Sequence, residues 1–499
     1  MKNRLKKLFI FLVVACVALV LVACGHTHTL EHHAGQDATC TEAGWKEYDV
    51  CTSCGYTNKE EIPALNHILT KHEAKEAGVG VDGNSEYYEC TRCHEYFSDS
   101  EGKIKIAENS WVIAYDKFRV RVIDADDEVL VDATIPVGKY SNLYEYLTTE
   151  LNTVGGVGDY GAYITSVNNS IVDANWALMI YVNGSMGDAA DKIVPANGDV
   201  IELRNECWAA VDYGYGTSMD KYDVIVDKLV YRYLKTKMKD IIKNTTTYTG
   251  STYWDMLSYA AYKSSSLDSN ILKGVTFNQS LIDELNNVSV NTLTGANIGK
   301  YFSHAFASDI LTDSKLVEFK EYYQTVLSGL TAWNDYETPF VVFPASYLNL
   351  SLSDNLVNDA VSGNTEWGPT GDCWKLLGQT LFADKDSFDF KPYVKDWTTA
   401  YEYGSNTDMA TVLLAACALG LDLRSVDDYG TLKYNDKDLD FVAFMIEKYY
   451  DAEKVLLKVY ANDEDYNASS NQIYASLLMY KLSRASHSSQ NILKIKGLK

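Results

Sequence analysis

Five cysteines, Cys40, Cys51, Cys54, Cys90 and Cys93, stand close together near the start of this 499-residue chain, interleaved with His28, His33, His67, His72 and His94. Thiolate and imidazole are the donors that zinc and similar cations take, and Cys-x-x-Cys is the spacing at which two thiolates reach one tetrahedral ion. The set is doubled: moving 39 residues on from His28, His33, Gly44, Glu47, Tyr48, Cys51 and Cys54 lands on His67, His72, Gly83, Glu86, Tyr87, Cys90 and Cys93, the same type each time. An internal repeat of that regularity predicts two copies of one small structural unit. The first unit offers Cys40, Cys51 and Cys54, with His33 or His67 to complete a Cys3His site. The second has Val79 in place of Cys40 and offers Cys90 and Cys93 with His67, His72 and His94, a weaker set. A disulfide within each CxxC is the competing reading, and the odd cysteine count per unit speaks against it. No general base lies at helical spacing from the ligands, so an ion here would brace structure rather than catalyse.

These residues carry a first resemblance. Ala38-Thr39-Cys40-Thr41-Glu42-Ala43-Gly44, Cys51-Thr52-Ser53-Cys54-Gly55 and Ile62-Pro63-Ala64-Leu65-Asn66-His67 resemble a zinc-ribbon-like repeat found near the ends of many Gram-positive surface proteins. The resemblance implies structural zinc and a spacer role for residues 24–110. Ahead of them, Lys2, Arg4, Lys6 and Lys7 precede an apolar run from Leu8 to Ala23 that is shorter than the roughly 20 residues of a spanning helix. Leu21-Val22-Ala23-Cys24 resembles the lipobox of bacterial lipoproteins. That implies removal of residues 1–23, lipidation of Cys24, and a chain tethered by its lipid to the extracellular face of the cell membrane.

Charge narrows the partners. The chain carries a formal charge of −24, and −28 without residues 1–23, whose four basic residues have no acidic counterpart. Such a surface repels nucleic acid and anionic lipid headgroups, leaving neutral or cationic small molecules and extracellular surfaces as partners. The remaining length is enough for several domains with cores of their own.

After Trp111 the hydrophobic period becomes two. Phe118, Val120 and Val122 alternate with Arg119 and Arg121, and Val129, Val131 and Ala133 follow a turn at Asp124-Ala125-Asp126-Asp127. Those aspartates match the acid motif of protonating terpene cyclases, but their place in a hairpin turn reads as turn chemistry. Asn142 is placed to cap a helix bearing Leu143, Leu147 and Leu151, and strands are predicted at Ala162–Val167, Ala177–Val182 and Val200–Leu203. The order suggests an α+β domain of β-grasp type over residues 115–206. Trp176-Ala177-Leu178-Met179-Ile180-Tyr181-Val182-Asn183-Gly184, Gly187 and Gly198-Asp199-Val200-Ile201 resemble the small β-domain of the transcobalamin and intrinsic factor family. The resemblance implies a corrinoid-facing role for Trp176 and Tyr181; the plainer reading has both packing on the sheet.

Residues 221–485 are helical by pattern. Helices are predicted at Tyr222–Ile242, Tyr253–Lys263, Ala296–Leu311, Ser314–Leu330, Phe340–Leu348, Gly371–Phe382, Val394–Tyr401, Thr407–Leu419, Leu439–Tyr450 and Ser469–Leu482, with a polar tail at 486–499. So many short helices suit an all-α toroid or solenoid. Asn406-Thr407-Asp408-Met409-Ala410-Thr411 and Ser470-Asn471-Gln472-Ile473-Tyr474-Ala475 resemble inner-ring helices of the transcobalamin family and prenyltransferase-type toroids. By that resemblance Thr407, Asp408, Asn471 and Gln472 line a ring mouth, flanked by Trp367 and Tyr403. Thr407 and Asp408 serve equally as plain helix caps. His304 is the one histidine well inside this half, where packing is the usual role of such a residue.

The expectation is thus a multidomain α+β surface lipoprotein: zinc-ribbon-like repeats, a β-grasp-like domain and a C-terminal all-α toroid. It is not an enzyme, since no nucleophile elbow, P-loop or dinucleotide fingerprint is present. It binds a small ligand, a corrinoid by resemblance, between the last two domains. A non-enzymatic adhesion or display protein is the alternative, and a terpenoid-cyclase-like enzyme the weakest.

Overall fold

The computed structural model describes residues 27–211, 219–247, 252–293 apart from 269, 310–333, 350–362, 373–382, 388–395, 406–461 and 471–485, with isolated positions between them. The chain is mixed α and β, with several small sheets and many short helices. It divides into two compact units, one running to Lys117 with Pro136–Lys139 added, the other comprising Phe118–Ile135 and the chain from Tyr140 onward. Among the described residues no helix is long and apolar enough to cross a membrane.

In the first unit the 39-residue offset becomes repeated geometry. Leu30–His33 pairs antiparallel with Tyr48–Cys51, and Leu69–His72 pairs likewise with Tyr87–Cys90. Gly44–Trp45 pairs with Glu61–Ile62, and Gly83–Asn84 with Val112–Ile113. A Cβ on Gly44 would fall 2.3 Å from the Ala38 nitrogen and one on Gly83 2.4 Å from the Ala77 nitrogen, so only glycine lets the chain pass over itself there. The second copy is longer: Gly44 pairs with Ile62, whereas Gly83 pairs with Ile113, twelve residues further along than the offset requires. The extra chain follows Tyr96–Phe97, a strand whose place in the first copy is held by the single bridge of Val50 with Thr57, and it returns Lys105–Ile106 against that strand as an added outer strand. Asp99 closes this hairpin by accepting from the Glu101, Lys103 and Ile104 backbone amides.

The second unit opens on a five-stranded sheet in the order Val129–Pro136, Lys117–Ile123, Val200–Cys207, Trp176–Val182, Ser185–Met186. Lys117–Ile123 runs parallel to Val200–Cys207, and Trp176–Val182 antiparallel to it. Period two holds: Phe118, Val120 and Val122 are buried, while Arg119 pairs with Asp132 and Arg121 with Glu202 on the other face. Asn142 caps the Leu143–Glu150 helix by accepting from the Glu145 amide. The strand Thr153–Gly158 has no sequence signature, because Gly155 and Gly156 replace the alternating apolar residues. A Cβ at Gly155 would lie 2.2 Å from the Tyr163 carbonyl oxygen of the paired strand Gly161–Val167, so the backbones meet where side chains would otherwise stand.

Asn406–Leu419 lies against Cys373–Phe382 on one side and Gln472–Ala485 on the other, and the latter also packs on Tyr253–Ser264 and Lys221–Tyr233. The stripe Met409, Val412, Leu413, Ala416 and Leu419 predicts one buried face, yet Ala410, Leu414, Ala415, Cys417 and Ala418 are buried too. A helix apolar all round belongs inside, and its small residues let neighbours approach on every side. Among the described residues the sequence pattern does not announce the helices Gln279–Asn287, Asp354–Ser362 and the single turn Val426–Tyr429, while the predicted spans Ala296–Leu311 and Phe340–Leu348 fall mostly outside the described residues. Leu439 ends a hairpin, Leu432–Tyr434 with Lys437–Leu439, because Asn435 and Asp436 take the left-handed turn conformation; the helix begins at Phe441 under an Asp440 cap.

Sheet and helices of this unit are joined by buried charge. Asp227 accepts from the Trp176 indole at 3.0 Å, from Lys481 at 2.8 Å and from Arg484 at 2.7 Å. Lys481 also reaches Asp173, and Lys235, in the π-helical turn Leu234–Met238, bonds Asp124 at 2.8 Å and Asp126 at 3.2 Å. The Asp124–Asp127 segment is the hairpin turn its composition predicts, but its first and third carboxylates are anchors for a helix rather than solvated groups.

Candidate metal centres

Each CxxC folds as a tight loop because the residue after the second cysteine turns left-handed: Gly55 at φ 72° and, at the same place in the second copy, His94 at φ 56°. The loop closes by backbone bonds from Gly55 to the Cys51 carbonyl and from His94 to the Cys90 carbonyl. The Thr52 and Thr91 amides then tie it to the Thr29 and Ile68 carbonyls on the strand that brings in the histidine. His28 Nδ1 thereby stands 3.4 Å from Cys54 Sγ, and His67 Nδ1 stands 3.4 Å from Cys93 Sγ.

Cys40 does not join the cysteines of its own copy. Its Sγ lies 3.9 Å from Cys90 Sγ, and the ligand atoms of Cys40, His67, Cys90 and Cys93 all fall within 4.8 Å of one another. A tetrahedral ion with metal–sulfur bonds of about 2.3 Å and metal–nitrogen bonds of about 2.0 Å has sulfur–sulfur edges near 3.8 Å and sulfur–nitrogen edges near 3.5 Å. The 3.9 Å between Cys40 and Cys90 and the 3.4 Å between His67 and Cys93 are close to those edges. His28, Cys51 and Cys54 make a second group within the same limit. The expected set Cys40, Cys51 and Cys54 is therefore not what the fold assembles: the first copy lends its extra cysteine to the second.

His33 and His72 are not brought to the thiols. They stack on Tyr48 at 5.0 Å and on Tyr87 at 4.4 Å, strand neighbours whose rings hold the imidazoles flat. Trp111 extends the second stack, 4.1 Å from Tyr87. The ligand that sequence reasoning passed over is His28, which the 39-residue offset from His67 pointed to.

Electrostatics favour a cation in the four-residue site. Burial pushes the Cys90 thiol up, but the Cys93 and Arg92 amides and the His67 and Cys93 side chains outweigh it and hold it down at about 5. Cys40 is pushed up to about 11, by burial first and then by Cys93 and Cys90. One thiolate is thus ready-made, and a cation would stabilise the others by replacing mutual repulsion with attraction. None of the five cysteines is joined in a disulfide.

The residues assigned to a ligand in the second unit have partners of their own. Trp176 is buried against Tyr231 and donates to Asp227; Tyr181 donates to Glu206 and lies under Arg204. Gln472 is buried and donates to Thr411 at 2.6 Å, and Asn471 donates to Asp255 at 2.8 Å. Thr407 and Asp408 are half-buried in the first turn of their helix. Cys24, Trp367, Tyr403 and His304 lie outside the described residues.

Around Asn471 the structure shows a polar knot without a sequence signal. Asp255, on Tyr253–Ser264, accepts from the Tyr233 hydroxyl at 2.5 Å as well as from Asn471. Burial pushes its carboxyl up to about 6 against the pull of those two bonds. The folded chain holds this proton more tightly than the unfolded one, so the contribution of Asp255 to stability falls as pH rises from about 4 to about 6 and is flat above. Asp255→Asn will remove that dependence, read as a smaller difference between urea midpoints at pH ~4.5 and pH ~7 than in the parent.

No protein-family profile and no curated protein matches the chain. A solved structure from Ruminococcus gnavus, provisionally named a metal binding protein, matches at 26% identity and a TM-score of 0.17, over 18% of this chain and 96% of that one.

Proposed function

We propose that the chain is a surface lipoprotein whose residues 27–113 are a zinc-braced spacer between a lipid anchor at Cys24 and a non-enzymatic binding head formed by the second unit. The observation that carries the metal reading is the convergence of Cys40, His67, Cys90 and Cys93, buried or half-buried, drawn from both copies and with all ligand atoms within 4.8 Å of one another. Three thiolates and one imidazole form a closed structural set, which holds zinc without leaving it a position for catalysis. Elemental analysis of freshly reduced full chain is expected to find zinc, and chelation to lower the melting temperature of the first unit. Metal-free reduced protein with unchanged melting would refute the reading.

Capture of a corrinoid by the head is a narrower proposal. It leans on the resemblances at Trp176–Gly184 and Asn406–Thr411, and on the half-buried Thr407 and Asp408, polar groups of the kind that a neutral ligand ringed with amides needs. The bonds held by Trp176, Asn471 and Gln472 must be exchanged for ligand contacts if those residues take part. Titration of the full chain with cobinamide is expected to shift the corrinoid absorption spectrum. No shift at high micromolar ligand would leave adhesion, for which the 37 tyrosines of the chain offer contact groups.

A further inference from the structure

The two copies present the same loop and histidine but differ in what covers the thiolates. In the second copy Phe97, which stands where the first copy has Asn58, lies over the site: its ring is 4.5 Å from the His67 imidazole, and it packs with Cys40 and Cys90 in one buried cluster. Gly102, in the hairpin that follows Phe97, comes so close that a Cβ there would stand 3.0 Å from His67 Cδ2. Cys40 arrives from the first copy to close the remaining side. The first copy has no such hairpin, since its chain runs from the CxxC loop to Glu61–Ile62 without the twelve additional residues. Cys51 is buried there, but His28 and Cys54 are exposed, with Tyr56 beside the imidazole at a ring distance of 5.3 Å.

We infer that His28, Cys51 and Cys54 form a second metal site, distinct from the closed one, that exchanges a borderline or soft cation with the surroundings. This rests on the metal-binding reading above and goes beyond it by assigning the two sites different work. The described residues supply three donors whose histidine and second thiol match the closed site atom for atom, 3.4 Å apart in both. The two sites share the histidine and CxxC pair, but the closed one adds the Cys40 thiol, so fewer donors and greater exposure both favour exchange in the first copy: an incoming ligand can attack the ion beside Cys54 and His28, whereas Phe97 and Cys40 bar that approach in the other copy. On binding, each thiol gives its proton to solvent and no electron moves.

The test uses the full chain, reduced, loaded with zinc sulfate, desalted and mixed with a colorimetric chelator. Two equivalents are expected, one released at least about ten-fold faster than the other, the scale on which altered surroundings change a metal site. Cys54→Ser should remove the fast equivalent alone, and Cys93→Ser the slow one alone. Phe97→Ala, which uncovers the closed site without touching a ligand, should speed the slow phase and leave the fast phase unchanged. A single slow equivalent, lost in Cys93→Ser, would overturn this inference and leave the zinc spacer standing. Two equivalents released at one rate, or a fast phase that survives Cys54→Ser, would also overturn it. No bound zinc would overturn both.

Discussion

Replacing Cys90 with serine will empty the closed site and unfold the second copy of the repeat while the larger unit stays folded. Cys90 is fully buried, is the thiol held down at about 5, and is 3.9 Å from the cysteine lent by the first copy. Structural zinc in small modules contributes on the order of 10 kcal/mol of apparent binding energy, which is folding energy where little apolar core exists. The core here is small: Cys40, Cys90 and Phe97 with Leu69, Tyr88 and Cys93 packed around them. Limited proteolysis should therefore cut the variant between residues 63 and 113 under conditions that spare the parent, with one equivalent of metal lost. His72→Ala is the control: it removes a stacking ring from Tyr87 and should retain the metal. Full protease resistance in metal-free Cys90→Ser would mean that the strand pairs alone hold the repeat.

Replacing Asp227 with alanine will destabilise the second unit by about 3–5 kcal/mol, the usual cost of leaving buried charge uncompensated. Its carboxylate serves three donors at once, the Trp176 indole, Lys481 and Arg484, and is fully buried. Removal leaves Lys481, itself buried, with Asp173 as its remaining acceptor, while Arg484 keeps Asp223. The double variant Asp227→Ala with Lys481→Met should recover part of the loss, because it withdraws the stranded ammonium as well as its partner. Urea denaturation of the parent, Asp227→Ala, Lys481→Met and the double variant closes the cycle. Equal losses in the single and double variants would show that the tryptophan bond, rather than the ion pair, carries the cost.

Much of the local structure was legible. Phe118, Val120 and Val122 alternate because a half-buried strand exposes every second residue, and Asn142 caps because its carboxamide reaches the free amide of Glu145. Thr153–Gly158 was not legible, since glycines carry no hydrophobic signal and the strand is made by its partner. The residues that the resemblance sets at a ring mouth show the same limit from the other side. Asn471 and Gln472 open their helix as the pattern suggests, yet what their amides bond, Asp255 and Thr411, lies 216 and 61 residues away.

By itself the sequence determined the 39-residue repeat, the CxxC loops and the donor types, because these depend on residue identity and on spacings of a few residues. The histidines show where that reach ends: four positions in the two copies have equal claim by type, and strand pairing sends His28 and His67 to the thiols and His33 and His72 to tyrosine rings. Only the tertiary structure decided that Cys40 crosses to the other copy, that Phe97 shelters one site while its twin is exposed, and that Asp227 is a buried hub. The reason is physical: coordination and burial depend on distances between atoms far apart in the chain, and those distances exist only once the strands and helices have packed.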